Sequence, residues 1–232
     1  MSKRNLDFVE IGTADFDTLI QDCSDLAQGI SIEPLDFYLD ALPSKPHVIK
    51  LQKAVSNTTG LTEIYYLDPK VLGDKVPSTG WWIRGCSCIA KPHPTLIEYC
   101  NLWGIPLSAI IKCEVEKITF EQIVAEYEIE QINFLKIDTE GHDCVIMHDV
   151  LDVSKREGKI YAQNIRFETN KLSEKKDVED VIRKAQALGY FVHRLPMFGE
   201  TFLTTNSKLN SNLHRSLNEP TMLEAIKSAM SC

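Results

Sequence analysis

The stretch "FVEIGTADFD", Phe8 to Asp17, decides how the chain is read. An apolar run ends in an acid, Glu10, then a glycine, Gly12, and helical spacing begins within a few residues. Leu6–Ile11 reads as a short buried strand. Phe16, Leu19, Ile20, Cys23, Leu26 and Ala27 follow with the spacing of one helix face, Asp15 or Asp17 stands where a cap belongs, and Gly29 closes the helix. A strand-to-helix turn needs neither an acid nor a glycine for structure alone. Gly12 lets backbone approach a ligand closely, and the helix start behind it offers unpaired N–H groups.

Working outward, strand and helix signals alternate. Ile30–Glu33 is a second strand, with Pro34 at the first helical position before Leu35–Leu42. His47–Val55 and Thr62–Leu67 read as extended. Thr119 and Gln122 form a capping box ahead of an apolar helix face. Ile132–Asp138 is a buried strand, His142–Val150 a helix, Ile160–Glu168 a strand, and Val178 to Leu188 an amphipathic helix. Tyr190–Leu195 and Thr201–Thr205 are strands joined by "PMFGE", a hairpin-length connection. Thr221 and Glu224 box the start of a last helix, whose apolar face (Met222, Leu223, Ile226, Met230) is expected to dock on the body. The alternation predicts an α/β fold with a mostly parallel sheet and an antiparallel terminal hairpin.

Composition bounds the rest. A chain of 232 residues suits one domain with a full core. A net charge of −8, with Lys and Arg scattered, speaks against nucleic acid as a dedicated partner. The longest apolar stretch, Leu102 to Ile111, is broken by Pro106 and too short to span a bilayer. Seven cysteines, an odd number without a secretory leader, suit reduced thiols in the cytoplasm. Residues 68–113 hold five of the ten prolines, all three tryptophans and four of the seven cysteines, and read as an irregular insertion capping the acceptor side. Residues 207–232 read as a helical extension. Oligomeric state is not legible.

Glu33 closes the second strand about twenty residues after the turn, where a carboxylate accepts ribose hydroxyls. A dinucleotide turn carries three glycines to nest a pyrophosphate. Here Thr13, Ala14, Asp15 and Phe16 follow the one glycine, and Glu10, Asp15 and Asp17 would repel a diphosphate. The acidic turn fits a cation, which points to S-adenosylmethionine, with its sulfonium and ammonium, over NAD.

A second cluster, "LKIDTEGHD" (Leu135 to Asp143), places Asp138, Glu140, His142 and Asp143 at a strand's carboxyl end. A turn capping the next helix accounts for one carboxylate, not for Asp138 and Glu140 together. His142 is the candidate general base, with nearby acids favouring its imidazolium, and Asp138 or Glu140 orients it or shares the role. A divalent cation such as magnesium is an alternative occupant of the same groups and stays outside the main reading. Cys86, Cys88, His93 and Cys100 lack the C-x-x-C spacing of a zinc knuckle and read as loose cysteines of a loop. "WWIRGCS", with Trp81, Trp82, Arg84 and Ser87, forms either an aromatic acceptor wall or a plug beneath the loop.

The segments "FVEIGTADFDT", "GISIEP", "KAVSNTTG", "KITFEQI" and "LKIDTEGHD", in this order, resemble the FkbM family of S-adenosylmethionine-dependent methyltransferases. The resemblance covers roughly residues 6–205, and the family usually has Asp, Asn and Gly where Glu10, Ala14 and Phe16 stand. It implies a Rossmann-like fold, a seven-stranded sheet, and O-methylation of a hydroxyl on a sugar, glycan or small molecule. It implies that Glu10, Gly12 and Thr13 lie at the methionine end of the cofactor, Glu33 and Pro34 at the ribose, and Ala54, Val55 and Ser56 near the adenine. Asp138 would meet the amino-acid portion or the methyl, and Glu140 and His142 the acceptor. The alternatives are an NAD(P)-dependent oxidoreductase and an inactive nucleotide-cofactor-binding module on the same fold.

Overall fold

The computed structural model describes residues 3–214. The chain opens with β1 (Arg4–Ile11), α1 (Leu19–Asp22), β2 (Gly29–Ile32), α2 (Asp36–Ala41), β3 (Val48–Leu51), β4 (Ala54–Val55) and β5 (Gly60–Leu67). The middle contains α3 (Pro69–Asp74), a 3-10 segment (Ser78–Gly85), β6 (Cys88–Ile89), α4 (Pro94–Leu102), a short 3-10 turn (Leu107–Ala109) and β7 (Ile110–Ile118). It closes with α5 (Phe120–Glu126), β8 (Ile129–Ile137), α6 (Asp143–Glu157), β9 (Ala162–Glu168), α7 (Lys175–Ala187), β10 (Phe191–Leu195), β11 (Glu200–Thr204) and α8 (Ser207–His214).

The main sheet has the order β10-β11-β9-β8-β1-β2-β3. Its strands run in one direction except β11, which is antiparallel to both of its neighbours, β9 and β10. Val9 and Ile11 of β1 join the large core under α5, α6 and α7, while Phe8 packs with Ile20 and Leu39 of α1 and α2. That is the period-2 alternation of a strand covered on both faces. After β1 the chain adds strands on one side through β2 and β3, and later on the other through β8. The order therefore switches between β1 and β8, where such sheets bind ligands beyond the carboxyl ends of their strands.

A second sheet, β4-β7-β5-β6, packs beside that end. The predicted third strand, His47–Val55, divides between the two sheets, because its two halves pair with different neighbours. Thr62–Leu67 lies in the second sheet, antiparallel to β7. The segment 68–113 is more regular than its composition suggests: two helices and two 3-10 segments enclose Ile83, Leu96, Cys100 and Ile105 in a core of their own.

Several boundaries differ from expectation. The first helix is only four residues, capped by Thr18 in a box with Gln21 instead of by Asp15 or Asp17, and Gly29 begins β2. Phe16 leaves the helix face to line a cleft. Thr119 and Gln122 form the anticipated capping box. The expected helix around Thr221 and Glu224, with its face of Met222, Leu223, Ile226 and Met230, lies outside the described residues.

Glu10 and Lys136 are register partners on β1 and β8, with side chains 0% and 4% exposed. Lys136 Nζ lies 3.2 Å from Glu10 Oε1, donates to the Asp17 carbonyl at 2.7 Å, and stands 3.7 Å from Asp138 Oδ2. Glu10 accepts the Leu19 amide with both oxygens, at 2.9 and 3.0 Å. Burial pushes the Glu10 carboxyl up, and it also works against the Lys136 ammonium, but Glu10 and Asp138 outweigh it there and raise the Lys136 pKa. Both Glu10 oxygens act as acceptors, and Oε1 also faces the Lys136 ammonium, the arrangement of an ion pair. Lys136→Met should cost about 3–5 kcal/mol in urea denaturation by stranding the Glu10 carboxylate, and Glu10→Leu/Lys136→Met should recover most of it. A single-variant cost below about 1 kcal/mol would contradict an ionised pair.

Candidate active site

The turn after β1 is built from left-handed residues. Gly12 has φ +77°, and a Cβ there would lie 2.0 Å from the Asp138 carbonyl oxygen, so only glycine fits. Ala14 (φ +45°) and Asp17 (φ +53°) adopt the same region without being glycine. Such residues cost on the order of 1–3 kcal/mol each and persist where surroundings hold them. Glu33 supplies much of the hold. Its Oε2 accepts from the Thr13 and Ala14 amides at 3.2 and 2.9 Å, and its Oε1 from the Leu35 amide at 3.0 Å. Burial pushes this carboxyl up to about 7, with the three amides pulling the other way. Two donors occupy Oε2; Oε1 keeps a lone pair for a further donor.

The turn opens on a cleft of about 790 Å³, partly open to solvent, at the β1/β8 switch point. Of the residues singled out in the sequence, Gly12, Thr13, Glu33, Pro34, Ala54, Val55, Asp138 and Glu140 line it. Glu10, Ser56 and His142 are not among the lining residues. Glu10 is turned beneath the floor, fully buried against Lys136 and the start of α1, so its expected place at the cofactor surface is corrected to a support for the turn. Ser56 is buried and lies with its hydroxyl 3.0 Å from His142 Nε2.

His142 precedes α6 with its ring against Ser56. Burial, then the Lys117 ammonium, lower its pKa. The expectation that neighbouring acids favour its imidazolium is therefore reversed: burial and the Lys117 ammonium disfavour the charged ring. Asp143, fully buried, accepts from the Thr139 amide and hydroxyl and from the Glu168 amide, and burial pushes it up to about 7. Glu140 Oε2 meets His93 Nε2 at 3.0 Å. Asp138 stays partly exposed in the cleft beside Lys136.

The insertion packs against the turn after β1. Arg84 Nε pairs with Asp15 at 2.9 Å, and its guanidinium stacks 4.9 Å from the Phe16 ring centroid and 5.5 Å from that of Trp81. Phe16 and Trp81 meet edge to face, and the Tyr38 hydroxyl donates to the Arg84 carbonyl at 2.7 Å. Neither Trp81 nor Trp82 is among the residues that line the cleft. Trp82 packs on Tyr99 in the insertion core, and Trp81 stands half exposed beside the turn. Sequence reasoning overlooked Lys136, Arg84 and His93 as supports of this site. For Lys136 a signal existed: a lysine inside the apolar run Ile132–Ile137 is buried only when paired.

Among the described residues no helix is long and apolar enough to cross a membrane. No curated protein and no solved structure matches the chain significantly. The family model described as the methyltransferase FkbM domain matches residues 10–192, a span from Glu10 to the second residue of β10 that contains the turn, Glu33, the insertion and the Asp138–Asp143 cluster. The chain belongs to the FkbM methyltransferase family.

Proposed function

We propose that the cleft binds S-adenosylmethionine and that the protein methylates a hydroxyl of a sugar, glycan or small molecule. The observation that carries this reading is the single-glycine, acidic turn of β1 opening on the cleft at the sheet's switch point. Gly12 brings backbone against backbone, and Glu33 keeps one acceptor position for a ribose hydroxyl. Ala54, Val55 and Ile64 offer an apolar wall for a base, and Asp138 a carboxylate for a cationic group. The chemistry such a cofactor supplies is an electrophilic methyl: its carbon–sulfur bond breaks as an oxygen–carbon bond forms, the sulfur leaving as a neutral thioether and the hydroxyl proton passing to a base.

The residues of this chain hold and orient the reactants and take that proton. Of the four carboxylates that line the cleft, Glu33 holds backbone amides and Asp17 belongs to the turn, and Asp138 and Glu140 are the candidate acceptors. Glu168 is not: burial first, then the charges of Glu140, Asp138 and Asp143, push its carboxyl up to about 9, so it carries a proton at neutral pH. An NAD(P)-dependent oxidoreductase is the weaker reading, since, counted from Gly12, Ala14 and the acid Asp17 stand where the other two glycines of a pyrophosphate turn would fall.

In calorimetry the protein should bind S-adenosylhomocysteine and not NADH, and Glu33→Ala should weaken that binding by about 1–3 kcal/mol, the scale of a lost charged hydrogen bond. NADH binding in place of S-adenosylhomocysteine would contradict the assignment. Stability should also report on Glu168. Its folded pKa of about 9 lies above the ordinary 4.5, so the folded state holds the proton more tightly, and stability falls as pH rises through that window. Glu168→Gln should therefore gain in melting temperature over the parent at pH 9 relative to pH 5. An equal offset at both pH values would contradict a raised carboxyl.

A further inference from the structure

Glu140 has an unusual backbone and an unusual set of partners. Its φ is +53°, and Gly141 follows at +97°. Its carbonyl accepts from the Cys88 thiol at 3.4 Å, and its carboxylate meets the His93 ring, which is buried at 2% exposure. Both partners come from the insertion. His93 is also the N-cap of α4, where its Nδ1 accepts the Thr95 amide at 3.1 Å. A ring nitrogen that accepts carries no proton, which places the ring proton on Nε2. Nε2 therefore donates to Glu140 Oε2 at 3.0 Å. One oxygen of Glu140 is fixed by the insertion, while the residue itself lines the cleft.

We propose that His93 is a positioning residue that holds Glu140 by an Nε2–H donor, and that Glu140, so held, is the base that takes the acceptor's hydroxyl proton. The proposal rests on the methyl-transfer reading above. The proton passes from the acceptor oxygen to Glu140 Oε1 as that oxygen's electron pair forms its new bond to carbon. His93 keeps its own proton throughout. Asp138 differs from Glu140 here: its neighbouring ammonium, Lys136, belongs to the buried pair under the turn. His142 does not line the cleft at all.

A cation offers the competing account of the same side chains. Ligand atoms of Cys86, His93 and Glu140 lie within 4.8 Å of one another, a grouping a zinc-like ion could use. The ring tautomer argues against it. A metal on Nε2 would move the remaining proton to Nδ1, where it would face the Thr95 N–H, donor against donor.

His93→Asn separates the two duties of the ring. Asparagine is a good N-cap and can still accept the Thr95 amide, but it is too short to reach Glu140. The variant should keep its melting temperature and its S-adenosylhomocysteine affinity. Methyl transfer, followed as S-adenosylhomocysteine released with a panel of monosaccharides, glycosides and catechols, should fall roughly 10- to 100-fold in kcat with little change in acceptor KM. In the parent protein, long-range nitrogen NMR of the labelled ring should show the Nε2–H tautomer, with or without S-adenosylhomocysteine. An Nδ1–H tautomer, full turnover in His93→Asn, or a thiolate-to-cobalt charge-transfer band on adding Co²⁺ would overturn the proposal. Failure of the parent to bind S-adenosylhomocysteine would instead remove the methyl-transfer reading beneath it, while the tautomer of His93 would stand as measured.

Discussion

The buried ion pair of Glu10 and Lys136 is the constraint on which the site depends. It joins the two strands that flank the switch point, residue opposite residue, on the face covered by α1. Desolvating two charges is expensive, so such a pair contributes little net stability and much specificity of arrangement. Its geometry shows what is specified. Glu10 fixes the first amide of α1, and Lys136 fixes the Asp17 carbonyl, so both ends of the pair hold the segment that follows the turn. From above, Glu33 holds the Thr13 and Ala14 amides. The left-handed residues Ala14 and Asp17 are thus tied on both sides, as strained backbone must be if it is to persist. One apolar substitution in this network leaves a charge unmatched, and the turn is the element placed to feel it.

The insertion plays the corresponding part on the other side of the cleft. Arg84, Trp81 and the backbone around Gly85 grip Asp15 and Phe16 at the turn after β1, while Cys88 and His93 grip Glu140 after β8. The segment has a core of its own, so these contacts are presented from a packed body and not from a loose loop. The bulk of Phe16, where family members usually carry glycine, is accommodated because Trp81 and Arg84 receive the ring. The acidity of the site is eased in the same way. Asp143 is spent on Thr139 and the Glu168 amide, Glu168 retains its proton at neutral pH, and Glu200 pairs with Arg166 at 2.7 Å. Of the carboxylates at the end of β8 and its neighbours, Asp138 and Glu140 line the cleft, across from Asp17 and Glu33 of the turn side.

Sequence made the frame legible where local chemistry and burial agree. The apolar run before Gly12, the Thr119–Gln122 box and the run Ile132–Ile137 each specify their element by periodicity or capping, and each is found in place. Glu33 and the Asp138–Glu140 pair stood out in the sequence as acids at strand ends, and all three line the cleft. What was not legible depends on pairing across the chain. Nothing local divides His47–Val55 between two sheets; partners on β2 and β7 do so. The strand Ile110–Ile118 pairs with β5 across the whole insertion, and its alternating charges gave no hint of that partner. Glu10 lay one residue from the correct inference: an acid in that turn matters, but its partner is 126 residues away and turns it under the floor. His142 attracted attention by residue type, whereas His93 acquires its place only through the fold of the insertion.

The account comes down to whether the acidic turn of β1 and the carboxylate of Glu33 enclose a sulfonium cofactor. A crystal structure with S-adenosylhomocysteine tests this most directly. It should show the ligand in the cleft between Gly12 and the insertion, with a ribose hydroxyl on Glu33 Oε1 and the amino-acid end beside Asp138. A ligand bound elsewhere, or a cleft that accepts NAD in that position instead, would contradict it.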